Sequence, residues 1–304
     1  MQRAIVELRW GSLGGTKKVL SPGDTLRVGR KAKAQWIIPD KQMSGVHFEV
    51  AYDGSRAWVR DLASATGTLV GGQKISAEEE LGNGSWIRAG ESDFMVYLEG
   101  ATPPEEDELE RLLAEDPEDL PPPEARWMAH NRERAIRDKQ TKAARKQAAL
   151  ERLQKVEGLY VVLDAARADR ILTLVRESVD PYRSLYEGID GQALEHVAPH
   201  LVELQPSSSL LARLVEEGWG NRWGIFIEFA HGWKELRRHL RRFLMVADAD
   251  TRKKYYFRFY DPVVLREFLP TTTPKQRAEL FGEIGAFLLE DEFGQVARFV
   301  PEVG

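Results

Sequence analysis

Gly29-Arg30, Ser44-Gly45-Val46-His47, Thr66-Gly67-Thr68 and Gly71-Gly72 follow one another through residues 1–100. They lie among short runs rich in β-branched and aromatic residues, at 5–10, 25–28, 46–52, 57–62, 85–88 and 94–98. Further breaks stand at Gly14-Gly15, Pro22-Gly23-Asp24, Asp53-Gly54 and Gly82-Asn83-Gly84. Many short strands at this spacing predict a sandwich or barrel. Trp10, Trp36, Trp58 and Trp86 are expected to fill or rim its core. One loop then supplies an arginine, the next a serine and a histidine, and a third a tight glycine turn. That grouping, at the loop end of a sandwich, suits an anionic group.

The composition frames the rest. A chain of 304 residues has room for two ordinary domains. With 42% hydrophobic and 30% charged residues it reads as globular, and a net charge of −5 argues against a nucleic-acid binder. The absence of cysteine excludes disulfides and thiolate metal sites and fits a reducing, cytoplasmic setting. Residues 1–7 read as the start of a strand, and no stretch approaches the roughly 18 apolar residues of a membrane span.

Residues 101–125 change character. Thr102-Pro103-Pro104 opens the segment and Pro121-Pro122-Pro123 nearly closes it; residues 101–120 hold nine acids against Arg111, a balance of −8. This predicts a linker, part acidic and part polyproline-like. Residues 126–155 invert the sign, with ten bases against three acids. Free of Gly and Pro, they predict a helix with little to bury, either a solvated spacer or a basic arm for a partner.

From about residue 156 strands and helices alternate, which predicts a mixed α/β layer fold. Leu159-Tyr160-Val161-Val162-Leu163 and residues 224–229 read as strands, as does the alternation over 255–260. Leu236, Leu240, Phe243 and Leu244 mark one helix face, with Arg237, Arg238, Arg241 and Arg242 on the other side. Thr273-Pro274-Lys275-Gln276 is a capping box. Asp164 and Asp261 end strands, where they are expected to cap the following helices rather than to catalyse. His196 and His200 stand four apart, but Pro199 interrupts them and no third ligand is evident. There is no P-loop, dinucleotide fingerprint or nucleophile elbow, so no cofactor, metal or catalytic residue is expected. Trp219, Trp223 and Trp233, with Arg237 and Arg241, are the candidate protein-interface residues.

The N-terminal pattern, over roughly residues 3–98, resembles the forkhead-associated (FHA) domain, a phosphothreonine-peptide reader. The resemblance implies that Arg30 and Ser44 hold the phosphate, with Thr66 and Lys33 completing the peptide site and Lys31 and Lys41 nearby. It implies structural roles for Gly29, His47 and Gly67. The pattern departs from the family's at Gly45, Ala65, Thr66 and Gly71-Gly72, keeping the phosphate pair while dropping peptide-gripping groups.

A second resemblance covers about residues 158–295. It rests on Leu163-Asp164-Ala165-Ala166-Arg167, on 182–188 through Gly188, on Ala198-Pro199-His200-Leu201-Val202, on Glu217-Gly218-Trp219-Gly220 with Trp223-Gly224, on residues 236–244, and most specifically on Phe257-Arg258-Phe259-Tyr260-Asp261-Pro262. Together these are similar to the type VI secretion adaptor/chaperones (the Tap or TEC family), which bind an effector and help load it onto the VgrG spike without being enzymes. The chain is therefore expected to be a cytoplasmic adaptor built as an FHA-like sandwich (1–100), a charged linker with a helix (101–155) and an effector-binding module (156–304). Its expected partners are a secreted effector and VgrG, with no nucleic acid; the FHA-like module is expected either to bind a phosphothreonine protein or to serve as a docking platform. The rival reading is a phosphothreonine-dependent signalling scaffold unrelated to effector loading.

Overall fold

A computed structural model describes the chain except residues 1, 12, 117, 188–192, 248–252 and 302–304; Met1 and Gly188 of the stretches read above lie outside the described residues. The chain divides into two compact units, residues 1–102 with 172–183, and residues 103–171 with 184–304.

The described residues of 1–102 hold the strands β1 (Ala4–Trp10), β2 (Thr16–Leu20), β3 (Thr25–Gly29), β4 (Trp36–Ile37), β5 (Phe48–Tyr52), β6 (Ala57–Asp61), β7 (Thr68–Val70), β8 (Gln73–Lys74), β9 (Glu79–Leu81), β10 (Ser85–Ala89) and β11 (Ser92–Leu98). They form one sheet in the order β2-β1-β11-β10-β7-β8 and a second in the order β4-β3-β5-β6-β9. Alternation along the strands sends Val6, Leu8, Val28, Val50, Ile87 and Val96 into a shared core. Phe94 lies at its centre, with the rings of Phe48 and Trp36 edge-on at 5.2 and 5.6 Å. Of the four tryptophans expected to fill or rim the core, Trp36 alone is buried in it; Trp58 and Trp86 are half-buried outside it and Trp10 is exposed.

The outer face of the second sheet is organised by Glu49. Cross-strand register sets it opposite both Arg27 and Arg60. Each guanidinium reaches its carboxylate at 2.7 Å. The hydrogen bond from Arg27 holds the Glu49 carboxyl below its ordinary range, against the opposing effect of burial.

Beyond the sandwich run α1 (Glu108–Ala114), α2 (Pro122–Leu153), β12 (Leu159–Asp164), α3 (Asp169–Arg176), β13 (Tyr182–Ser184), β14 (Pro199–Glu203), α4 (Leu210–Gly218), β15 (Gly224–Glu228), α5 (Trp233–Arg241), β16 (Met245–Ala247), β17 (Lys254–Tyr256), α6 (Pro262–Phe268), α7 (Pro274–Phe281), β18 (Ala286–Glu290) and β19 (Val296–Phe299). A six-stranded sheet runs β13-β14-β12-β15-β18-β19. Its central strand β12 is buried at every residue, as its unbroken apolar run requires. Leu236 and Leu240 of α5, Leu265 of α6, Phe281 of α7 and Phe287 of β18 share the core beside it.

Three expectations need correction. The acidic linker contains a helix: Asp107 caps α1 by accepting from Leu109 N at 2.9 Å, and Glu108 and Glu110 in the first turn suit the positive end of its dipole. The basic helix begins earlier, at Pro122, and buries Met128, Ala135, Ala149 and Leu153. The strand expected over 255–260 stops at Tyr256. An Asp261 N–H bond to Arg258 O turns the chain, and Phe259 and Tyr260 enter the core on the same side of the turn rather than alternating. The capping box at Thr273 forms as expected, with its side chain and that of Gln276 bonded reciprocally.

Phe287 is fully buried with its ring 4.9 Å from that of Phe281. Phe287→Ala is expected to cost about 3–5 kcal/mol, read as a lower midpoint of the second unit in denaturant, while Trp10→Ala leaves the first unit's midpoint within about 0.5 kcal/mol.

Candidate functional site

The loop ends of β3, β4, β6 and β7 meet at one edge of the sandwich. β3 hands the chain to Arg30, whose backbone N–H donates to Ser44 O at 2.9 Å; Lys31 N donates to Gly45 O at 3.0 Å. This zipper brings the two loops so close that a Cβ on Gly29 would lie 2.4 Å from Gly45 O, which is why the position before Arg30 is glycine. Asp40 braces the far side of the same loop, accepting from Ser92 Oγ at 2.7 Å and from Gln42 and Glu91 N–H groups at 2.8 Å. Burial alone would raise the Asp40 carboxyl; these hydrogen bonds outweigh it and hold it below the ordinary value.

His47 joins this loop to the third. Its imidazole is fully buried, with Nδ1 3.0 Å from Ser44 N and Nε2 3.1 Å from Gly67 O. Since an amide N–H can only donate, Nδ1 is the acceptor and the ring carries its proton on Nε2, donating to Gly67 O. Gly67 itself has φ of 84°, a left-handed conformation natural to glycine. Asp61 holds the rest of that turn, accepting from Ser64 Oγ at 2.6 Å and Thr68 Oγ1 at 2.7 Å.

On this frame the polar groups are left ready for a ligand. Ser44 Oγ accepts from Ala65 N at 2.9 Å, so its hydroxyl proton is free to donate outward. Among the described residues the Arg30 side chain bonds only through Nε, to Met43 O at 3.1 Å, and the residue is exposed. The stem of Lys31 lies over Gly45, 3.2 Å from where a side chain there would begin. Lys33 and Lys41 are exposed in the flanking loops. Thr66 is exposed and its hydroxyl lies 3.4 Å from Gln42 O. Among the described residues no carboxylate pairs with Arg30, Lys31, Lys33 or Lys41.

Lys74 was not legible as a member of this group. The Gly71-Gly72 turn returns β8 alongside β7, pairing Lys74 with Leu69. The side chain then crosses Gly67, where a Cβ would collide with its Cε at 2.1 Å, and Nζ reaches Thr66 O at 3.3 Å. The hairpin length, two glycines followed by a lysine two residues on, is the signal that could have placed it.

Residues 26–90 match the family model of the FHA domain. The chain carries an FHA domain. Residues 159–279 match a second model, described as a domain of unknown function, DUF4123; it is the type VI secretion domain that the sequence of this half resembles. The FHA domain-containing protein FhaA of Mycobacterium tuberculosis is 38% identical over 71 residues, which are 23% of this chain and 13% of that relative. Among solved structures, the FhaA FHA domain complexed with the intracellular domain of Rv3910 is 34% identical, covering 31% of this chain and 98% of that one, with a TM-score of 0.28. The FHA domain of the CT664 protein from Chlamydia trachomatis is 23% identical, covering 31% and 96%, with a TM-score of 0.30.

The DUF4123 residues singled out from sequence are drawn inward. Trp219 is buried and its indole N–H donates to Gly294 O at 2.9 Å. The Trp223 ring lies so close to Gly218 that a Cβ there would meet it at 2.6 Å, and Trp233 packs partly buried on the core. Arg237 donates to Ser184 O at 2.9 Å and Arg241 to Leu185 O at 2.8 Å, and both pair with Glu187. These two arginines thus clasp the 184–187 segment, while Arg238 and Arg242 of the same helix face solvent.

Asp261 caps α6 through Val263 N at 2.9 Å, as expected. It also receives Arg167 and, at 2.6 Å, Arg222, which reaches it from a backbone with φ of 57°. Asp164 makes no cap; its buried carboxylate pairs with Arg258 and, at 3.6 Å, with Arg167. His200 Nε2 bonds Glu195 O at 2.8 Å. No cluster of potential metal ligands occurs among the described residues.

His47→Ala is expected to cost about 1–3 kcal/mol and to broaden the Ser44 and Gly67 amide resonances in NMR spectra. Asp261→Ala, which removes the α6 cap and the buried carboxylate that Arg167 and Arg222 share, is expected to cost about 1–3 kcal/mol in denaturant unfolding of the second unit.

Proposed function

We propose that this protein is a type VI secretion adaptor that acts by binding rather than catalysis, in the cytoplasm. Its FHA domain reads a phosphothreonine, and its DUF4123 domain holds a cognate effector and helps deliver it to the VgrG spike. The observation that carries the first part is the Arg30–Ser44 pair. A phosphate set beside them accepts the terminal N–H groups of Arg30 and the hydroxyl of Ser44, while Lys31 and Lys74 add positive potential without competing carboxylates. Thr66, at the rim of the pocket, and Lys33, in the flanking loop, contact the peptide around the phosphothreonine. His47, Gly29 and Gly67 keep the loops in place.

The second part rests on the DUF4123 match over residues 159–279. Trp219 and Trp223, which line a small cavity of about 20 Å³ beside Arg222 and Glu290, support the effector-binding surface from beneath. Trp233, Arg237 and Arg241 shape it by fixing the segment at 184–187.

A fluorescein-labelled phosphothreonine peptide library, followed by anisotropy on the best binder, tests the first part. Binding is expected to require the phosphate and to weaken about 10- to 100-fold in Arg30→Ala, with a smaller loss in Ser44→Ala. Equal binding of the unphosphorylated peptide overturns it. Pull-down of the intact chain from a type VI-positive strain tests the second part. Recovery of an effector or VgrG is expected. Recovery of neither, with phosphatase-sensitive partners instead, makes the protein a phosphothreonine-dependent scaffold unrelated to secretion.

A further inference from the structure

Helix α2 carries a feature that neither domain match covers. One of its faces, together with Leu109 of α1, forms an open trough of about 500 Å³ lined by Trp127, Arg134, Ala135, Asp138, Lys142 and Arg145. At 100° per residue these positions fall in a stripe about 100° wide, and from 127 to 145 they extend about 27 Å or five helical turns. The stripe is graded. At one end Trp127 is exposed, and the buried Ala135 lies midway; at the other end stand Lys142 and Arg145, which have no carboxylate partner among the described residues. Arg134 pairs only loosely with Asp138, at 3.8 Å and with both side chains largely exposed.

The chain itself shows what such a face accepts. The acidic helix α1 already lies against α2, its Glu110 carboxylate 2.7 Å from Lys139 Nζ and its Leu113 carbonyl accepting from Arg132 at 2.9 Å. A helix face offers no unpaired backbone N–H or C=O groups, so an extended strand laid on it leaves its own backbone unsatisfied. An incoming helix satisfies its backbone internally. Charge complementarity then asks for carboxylates over Lys142 and Arg145 and an apolar side chain over Trp127.

We propose that residues 127–145 of α2 form a docking trough for an acidic amphipathic helix of a partner protein, apolar at the end over Trp127 and carboxylate-bearing at the end over Lys142 and Arg145. The proposal is independent of phosphopeptide binding, which uses another part of the chain.

The test uses the full-length protein and a fluorescein-labelled synthetic helix of about 18 residues, with leucines in its first two turns and glutamates at i, i+3, i+4 and i+7 thereafter. Anisotropy titration is expected to give saturable binding, about tenfold weaker in Lys142→Glu/Arg145→Glu and in Trp127→Ala, and about tenfold weaker for a composition-matched scramble. These side chains are exposed, and unchanged circular dichroism with retained phosphopeptide affinity shows that the variants are folded. Equal binding of the scramble, wild-type binding by the variants, or tighter binding of a DNA duplex lost in the same variants overturns the proposal.

Discussion

A site for an anion must hold its cations in place while no anion is there. In this protein the constraint is met by neutral bonds. Arg30, Lys31 and Lys74 lie in one loop cluster without a carboxylate partner among the described residues, and repulsion among them favours an open cluster. The backbone pairing of Arg30 with Ser44 and of Lys31 with Gly45 opposes this, and the buried His47 ring ties both to Gly67. Because these links are uncharged, they persist at salt concentrations that screen the exposed cations. The rest of the sandwich serves this geometry: the aromatic core around Phe94 fixes the strands, and Asp40 and Asp61 brace the loops from either side.

The second unit answers the opposite problem, carboxylates that must be taken out of water. Asp164 and Asp261 are buried near the ends of apolar segments, and three arginines from separate places in the sequence neutralise them. The arrangement joins the end of β12, the turn at 165–167, Arg222 and the start of α6. The Phe-Arg-Phe-Tyr-Asp-Pro stretch is distinctive because it supplies core aromatics, a cation and an anion to this junction within six residues. That is a structural role, and it explains why carboxylates at strand ends need not signal catalysis.

How much of this could be read from the chain depends on the range of the interaction. The roles of Gly29, Ser44, His47 and Gly67 follow from the family resemblance, and the structure supplies their local causes: close approach, a short hydroxyl, a buried ring and a positive φ. Lys74 was not legible, because its place depends on hairpin register. Helix α1 was hidden by its charge, yet the same acids stabilise its first turn once Asp107 caps it. Asp164 was misassigned as a cap because its partner Arg258 is 94 residues away. Helical periodicity puts Arg237 and Arg241 opposite the apolar stripe, where they read as interface residues; it does not reveal that a separate segment of the same chain covers half of that face. The candidate site was thus legible where the family resemblance reaches, and opaque where side chains arrive from a distance.

Helix α2 has one more consequence. At 32 residues it is a rod of about 48 Å, long beside the strands around it. A flexible tether can gain or lose residues with little effect, but a rod cannot. Each inserted residue advances a helix by about 1.5 Å and turns everything beyond it through about 100°. Since β12 begins only a few residues after α2 ends, length changes within the helix would rotate its charged stripe relative to the sheet that follows. Drift in this part of the chain should therefore accumulate as substitutions, with insertions and deletions confined to residues 103–106, ahead of α1, where the polypeptide has no helical phase to preserve.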